Sequence, residues 1–224
     1  MFPRLAMLVS VGLVATWSSV APGAAEPTAA DFAQALQRKY AGVRDFSADF
    51  VHVYQTVLKK RLTERGTMLV KKPGRMRWEY KTPEEKLFVS DGVNFYSYIR
   101  QDRQVFITPV SADDHATTPI LFLAGKGDLT RDFTPSLTQL PPGMVQSARA
   151  LRLTPKTPQP EYDWLTVTFD PATLALTGLT TLDAQGGVSS FTFTNWKENV
   201  GMADRLFVFI PPRGVDVVTD ATRR

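Results

Sequence analysis

The residues that could perform catalysis or bind a metal are few and widely separated along the chain. The 224 residues include two histidines, His52 and His115, and no cysteine. Zinc sites need several closely spaced ligands, and neither an HExxH motif nor a histidine pair at ligand spacing is present. The run Asp113-Asp114-His115 fits a solvated loop better than a metal or catalytic site. The sequence therefore predicts no metal site and no thiol chemistry.

Other catalytic and nucleotide-binding motifs are missing as well. There is no G-x-S-x-G nucleophile elbow, and no G-x-G-x-x-G follows a candidate strand. The segment Gly125-Lys126-Gly127 lacks the spacing of a phosphate-binding loop. Glu84 and Glu85 follow Pro83 and fit a solvated corner better than an acid and base pair. We therefore expect a binding protein with no catalytic residue and no cofactor.

Basic residues cluster between positions 59 and 77 and alternate with aromatic residues near the end of this stretch. Such a pattern could bind single-stranded nucleic acid by stacking. However, Arg75 and Arg77 alternate with Met76 and Trp78, so cations and apolar residues lie on opposite faces of one strand. The net charge is only +4. We therefore predict a solvated outer face over an apolar inner face, and no nucleic-acid partner.

The first residues have the composition of an export signal. After Arg4, the run from Leu5 to Ala15 is uncharged but shorter than the roughly 20 residues of a membrane-spanning helix. The small residues of Pro22-Gly-Ala-Ala25 suit signal peptidase. We expect Met1 to Ala25 to be cleaved, although a retained anchor is the alternative. Residues 26–224 then form one soluble periplasmic domain, without a cysteine for acylation.

The mature chain is predicted to begin with one amphipathic helix. Thr28 and Asp31 have the spacing of a capping box, and Gly42 is a stop signal. One helical face carries Phe32, Leu36, Tyr40 and Val43.

Alternation of apolar and polar residues from Phe46 onward predicts about ten antiparallel strands joined by short turns. This is a mainly β fold, a curved meander or barrel. The predicted strands are Phe46–Gln55, Thr67–Lys72, Arg75–Lys81, Lys86–Ser90, Val93–Arg100, Arg103–Thr108, Ala150–Thr154, Trp164–Asp170, Leu176–Asp183, Val188–Trp196 and Leu206–Ile210. Thr134–Gly143 is predicted to be a surface loop.

Two features interrupt this regular pattern. Pro119 to Gly125 is a short apolar segment, predicted to form a helical turn that plugs a core or covers an opening. It lies between predicted loops at Ser111–Thr118 and Lys126–Asp132. Lys72 falls on the apolar face of its strand. Its ammonium group either needs an acceptor at the rim of the interior or turns outward at the following Pro-Gly pair.

A set of short motifs follows the same order as these elements. The motifs are Phe46-Ser-Ala-Asp-Phe50 with Gln55, Gly66, Val70-Lys-Lys-Pro-Gly-Arg-Met-Arg-Trp78, Asp91-Gly92, the Pro119–Gly125 segment, Asp183-Ala-Gln-Gly186, and Phe207-Val-Phe-Ile-Pro-Pro-Arg-Gly-Val215. In this order they resemble the periplasmic outer-membrane lipoprotein carrier (LolA) family over nearly the whole mature chain. The resemblance implies an incomplete, strongly curved antiparallel β-barrel with helices covering its open side.

The resemblance also implies a carrier function and a set of site residues. A soluble periplasmic carrier would bind the acyl chains of lipoproteins released by an inner-membrane ABC transporter and deliver them to an outer-membrane acceptor. It is expected to act as a monomer. The expected cavity residues are Phe50, Met68, Val70, Met76, Trp78 and Tyr80, and the expected lid residues are Phe32, Leu36, Ile120, Leu121, Phe122 and Leu123.

Lys72 stands where the family has an arginine that bonds lid groups and helps to drive release of the cargo. Lysine can donate to carbonyl groups but lacks the planar fork of arginine, so the strength of this latch is in question. Two other functions remain open within the same fold. One is a sensor or scaffold for lipid or mislocalised lipoprotein, and the other is a specialised carrier of a different acylated molecule. An enzyme acting on lipid or glycan is disfavoured by the missing motifs.

Overall fold

A computed structural model describes residues 26–110, 127–159 and 162–219 of the chain. Its first element is helix α1, Ala29–Gly42, which begins with the predicted capping box. Thr28 Oγ1 accepts a hydrogen bond from Asp31 N at 3.2 Å, and Asp31 Oδ2 accepts one from Thr28 N at 2.8 Å. The buried face of α1 carries Leu36 and Tyr40, as the apolar spacing predicts.

Strands make up most of the rest of the chain. They are β1 Asp45–Gln55, β2 Arg61–Lys71, β3 Arg75–Thr82, β4 Lys86–Asp91, β5 Asn94–Ile99, β6 Gln104–Pro109, β7 Phe133–Thr138, β8 Arg149–Pro155, β9 Trp164–Phe169, β10 Leu176–Leu182, β11 Val188–Glu198 and β12 Asp216–Thr219. A short helix, α2 Leu129–Asp132, precedes β7, and a 3₁₀ helix, Asp204–Phe207, follows β11.

All strands belong to one 12-stranded sheet with the order β12-β6-β5-β4-β3-β2-β1-β11-β10-β9-β8-β7. Neighbours pair antiparallel except β12, which runs parallel to β6. The strands at the two ends of this order do not pair with each other, so the curved sheet stays open. Helix α1 lies on the inner face and packs against α2, β7 and β8. The predicted fold class, an incomplete antiparallel barrel with a covering helix, is confirmed.

Strand β2 is longer than the sequence predicts, because it begins at Arg61 instead of Thr67. Its first half places Glu64 and Gly66 at inner-face positions where alternation would require apolar side chains. The pattern that predicts strands is therefore broken in a segment that nevertheless pairs fully with β1.

Three predictions outside this region are wrong. Leu206–Ile210 is not a strand: it begins within the 3₁₀ helix, and only its two phenylalanines pack on the sheet, while Leu206, Val208 and Ile210 are exposed. Phe207 is fully buried, and the Phe209 ring lies 5.6 Å from that of Tyr96. Thr134–Gly143 is not wholly a loop, since β7 occupies its first residues as an edge strand, where Pro135 is tolerated.

The third error concerns the predicted loop Lys126–Asp132, which contains α2. Asp128 caps this helix, with its Oδ1 accepting from the backbone N of Thr130 and of Arg131, each at 2.8 Å. The sequence also gives no signal for β12, whose four residues pair with β6 at the edge of the sheet.

Candidate binding site

The inner face of the sheet collects the six residues predicted to line a cavity. Strand register places Val70 opposite Met76 and Met68 opposite Trp78, and Gly66 lies between Phe50 and Tyr80. All belong to one apolar cluster, five of them buried and Tyr80 partly buried. The structure therefore brings together Phe50, Met68, Val70, Met76, Trp78 and Tyr80 on one surface.

Aromatic rings form the centre of this surface. The Phe50 ring lies 4.9 Å from that of Trp78 and 4.8 Å from that of Tyr80. Phe191, on β11, contacts both Phe50 at 5.9 Å and Trp78 at 5.3 Å. Edge-to-face and tilted pairs at these distances are favourable for aromatic side chains. The four rings make one continuous apolar wall across β1, β3 and β11.

Gly66 makes this ring packing possible. A Cβ atom at position 66 would lie 2.0 Å from the carbonyl oxygen of Glu79 and 2.7 Å from Cζ of Phe50. The Phe50 ring therefore occupies the space that any other residue at this position would need. This role explains why a glycine stands in the middle of a long strand.

The wall continues toward the β12 end of the sheet through residues that were not predicted from the sequence. The Phe88 ring lies 5.7 Å from that of Tyr80, and the Phe95 ring stacks on Phe88 at 6.2 Å. Both are only partly buried. Phe88, Phe95 and Phe191 each occupy alternating positions in their predicted strands, and this was the signal that could have identified them.

Helix α1 covers the opposite part of the inner face. The Phe32 ring lies 5.2 Å from that of Phe169 on β9, and Leu36 is fully buried. Tyr40 OH accepts from Leu176 N at 3.2 Å, which fixes the end of α1 to the start of β10. The other four predicted lid residues, Ile120, Leu121, Phe122 and Leu123, lie outside the described residues.

Lys72 adopts the inward position that was one of the two alternatives. Its Nζ donates to the carbonyl oxygen of Tyr40, in the last turn of α1. The last carbonyl groups of a helix have no partner within it, and a cation there also interacts favourably with the helix dipole. Burial lowers the pKa of the Lys72 ammonium group. The turn between β2 and β3 is thus joined directly to the end of α1.

A charged cluster lies on the inner face near the opposite ends of these strands, and the sequence analysis missed it. Glu64 is 4% exposed, and its two carboxylate oxygens contact Lys86 Nζ at 2.6 Å and His52 Nδ1 at 3.0 Å. His52 Nε2 also contacts Ser189 Oγ at 2.7 Å. Each buried polar group in the cluster therefore has a partner. These four residues come from four strands, so sequence spacing alone does not place them together.

The buried surroundings of His52 favour its neutral form. Burial lowers its pKa, although the hydrogen bond and charge of Glu64 act in the opposite direction. The imidazole ring stacks on Phe191 at 4.1 Å, so it belongs to the aromatic wall. Within the described ranges there is no group of three or more His, Cys, Asp or Glu that could hold a metal ion. His115 lies outside those ranges.

Residues 26–110, 127–159 and 162–219 contain no helix long and apolar enough to cross a membrane. The inner face is an apolar and aromatic surface that changes to a charged cluster at one end.

Comparison with known proteins identifies the family of the chain. The family model described as outer membrane lipoprotein carrier protein LolA matches residues 41–210. An outer-membrane lipoprotein carrier protein of Legionella pneumophila (strain Corby) is 30% identical over 187 residues, which cover 83% of this chain and 89% of the relative. A carrier protein of the same name from Chromobacterium violaceum is 29% identical over 206 residues, covering 91% and 95%.

A solved structure of similar fold is an uncharacterized conserved protein from Thermus thermophilus. The TM-score is 0.51 at 13% identity, and the match covers 84% of this chain and 96% of that one. This likeness concerns the fold, whereas the family model and the carrier relatives agree with the motifs along the chain. The chain belongs to the LolA family of outer-membrane lipoprotein carrier proteins.

Proposed function

We propose that the mature protein is a soluble periplasmic carrier for the acyl chains of lipoproteins. It takes lipoproteins released from the inner membrane and delivers them to the outer membrane. Each CH₂ group of an acyl chain exposed to water costs about 0.8 kcal/mol, so such chains need a protein surface to cross an aqueous compartment. Family membership and the carrier names of the relatives support this proposal.

The observation that carries the proposal is the continuous aromatic wall on the inner face. It extends from Phe191 and Phe50 through Trp78 and Tyr80 to Phe88, with neighbouring ring centroids no more than 5.9 Å apart. The members toward the β12 end of the sheet are only partly buried, so apolar area remains there for a ligand to cover.

Reversible binding requires that the ligand compete with the protein's own cover. We assign this cover to α1, through Phe32 and Leu36, and to the apolar residues Ile120, Leu121, Phe122 and Leu123, for which the sequence pattern is the basis. A ligand that must displace such a lid binds with a reduced apparent affinity. A downstream acceptor can then remove the cargo.

Lys72 is the proposed latch of this lid. Its hydrogen bond to the Tyr40 carbonyl joins the β2–β3 turn to α1 and stabilises the closed arrangement. Desolvation of the ammonium group opposes this stabilisation, as the lowered pKa indicates. This cost reduces the net contribution of the latch.

The proposed partners follow from the same function. Cargo would be received from an inner-membrane ABC transporter and passed to an acceptor at the outer membrane. No cofactor and no catalytic step is part of this cycle, because release and capture require only differences in affinity.

A displacement experiment tests the binding step. The mature protein is titrated with a fluorescent fatty-acyl probe, and bound probe is then competed with a tripalmitoylated lipopeptide. We expect saturable binding at one site and displacement by the lipopeptide, while the same peptide without acyl chains has no effect. Absence of probe binding, or equal displacement by the unacylated peptide, would contradict the proposed function.

A further inference from the structure

The indole nitrogen of Trp78 is a buried donor without an acceptor in the described part of the chain. Trp78 is 5% exposed, and its Nε1 has no hydrogen-bond partner among residues 26–110, 127–159 and 162–219. Trp196, on the same inner face, differs because its Nε1 donates to Glu198 Oε1 at 2.7 Å. Buried indole N–H groups normally have a partner, since an unsatisfied donor costs about 1–3 kcal/mol. The indole N–H of Trp78 therefore needs a hydrogen-bond acceptor from outside the wall.

The neighbours of Trp78 on the wall cannot supply that acceptor. Phe50 and Phe191 contact the indole ring with their own rings. Across the adjacent strands, Met68 and Phe88 stand opposite Trp78 in register. These side chains offer apolar contact and no oxygen. A ligand with a carbonyl group at this level of the wall would satisfy the indole N–H.

Trp78 also lies at the boundary between two parts of the inner face. On one side, toward the Lys72 turn, Met76 and Val70 form an apolar surface. On the other side, Tyr80 leads to the charged cluster of Glu64 and Lys86. Side chains on one face of a strand are about 7 Å apart, so this change occurs within two steps along β3.

We infer that Trp78 Nε1 donates a hydrogen bond to the carbonyl oxygen of an ester- or amide-linked acyl chain. The hydrocarbon then extends toward Met76 and Val70, and the polar part of the ligand points toward Glu64 and Lys86. The site thus selects acyl chains over alkyl ethers of the same length. This inference rests on the proposed function and adds the chemical class and the direction of the ligand.

A matched pair of ligands isolates the carbonyl contact. 1-Monolauroylglycerol and 1-O-dodecylglycerol have the same chain length and headgroup and differ only in the ester carbonyl. We expect the unmodified protein to bind the ester about tenfold more tightly, as one buried hydrogen bond allows. Trp78→Phe should lose this preference by weakening ester binding alone. Trp196→Phe, whose indole already has a protein acceptor, should keep the preference.

Indole N–H signals in ¹H–¹⁵N NMR spectra of the unmodified protein provide a second measurement that does not depend on a variant. The Trp78 signal should move downfield with the ester and not with the ether. Equal affinities for the two ligands, an equal loss of both in Trp78→Phe, or an unmoved Trp78 signal would overturn the inference while leaving acyl-chain binding intact. Failure of the unmodified protein to bind either ligand would instead contradict the proposed function.

Discussion

At the scale of single residues, the site depends on polar groups placed on an otherwise apolar face. Alternation along its strand put Lys72 on that face, so an acceptor at the rim of the interior was one of the two alternatives that the sequence offered. The acceptor itself, the Tyr40 carbonyl, depends on where α1 ends in space. Glu64 and Lys86 could not be predicted as partners, because they meet only through the register of three neighbouring strands.

Replacing Lys72 tests the latch. In Lys72→Leu we expect equilibrium binding of an acyl probe to be retained and the rate of transfer to acceptor vesicles to change, because a hydrogen bond that closes the lid, contributing roughly 1 kcal/mol, is lost. Stopped-flow fluorescence measures this rate. Lys156→Leu is a matched control, since Lys156 Nζ also donates to a helix carbonyl, that of Thr130 at 3.0 Å. A transfer rate equal to that of the unmodified protein would show that Lys72 does not act as a latch.

Truncating Trp78 tests the wall itself. Trp78→Ala removes a ring that contacts both Phe50 and Phe191, so affinity for a fluorescent acyl probe should fall by tenfold or more, which corresponds to about 1.4 kcal/mol or more of binding free energy. Circular dichroism and thermal unfolding establish that the variant is folded. Full affinity in a folded Trp78→Ala would show that β3 does not line the cavity.

His52 should make stability depend on pH. Its folded pKa lies below the ordinary value near 6.5 because of burial, while Glu64 faces it from the adjoining strand β2, with Tyr80 and Lys86 beyond it on β3 and β4. The unfolded chain then binds the proton more readily. The stabilisation is complete above pH 6.5 and decreases as the pH falls through that value toward the folded pKa.

The corresponding measurement is the urea midpoint between about pH 7.5 and about pH 5.5, a range that brackets the ordinary histidine pKa. The loss of stability on acidification should be smaller in His52→Gln than in the unmodified protein. The same pH dependence in both proteins would mean that His52 does not titrate as its surroundings indicate.

At the scale of elements, the strands with regular alternation were predicted well. The helix α1 and most strand positions follow from periodicity and turn signals in the sequence. The predictions fail where a strand lacks its own alternation of apolar and polar residues. Strand β12 has four residues and depends on β6, and the first half of β2 carries Glu64 and Gly66 at inner positions. Such segments form strands because neighbouring strands of the sheet pair with them.

Gly66 offers a test at this scale. Gly66→Ala would place a Cβ atom against the Glu79 carbonyl and the Phe50 ring, so β2 or β3 must shift. We expect a loss of roughly 1–3 kcal/mol in the free energy of unfolding, measured by denaturant titration. Gly42→Ala is the matched control, because its Cβ would have nothing within 4 Å among the described residues. An unchanged stability in Gly66→Ala would contradict the described packing of Phe50 over β2.

At the scale of the whole molecule, the open sheet and the covering helix belong to one apolar cluster. In the proposed function, ligand and lid compete for this inner face. That α1 covers the sheet could be expected from its amphipathic pattern together with the family resemblance. Its exact placement over β9, through Phe32 and Phe169, required the structure, because both residues are brought together only by the curvature of the whole sheet. A carrier follows from this arrangement if the surface binds acyl chains in the periplasm.

Native mass spectrometry of the mature protein, isolated from the periplasm after co-expression with a triacylated lipoprotein, tests this central claim most directly. We predict a one-to-one complex that disappears when the lipidated cysteine of the cargo is replaced. A protein that stays free of cargo, or a complex that persists without the lipidated cysteine, would contradict acyl-dependent carriage.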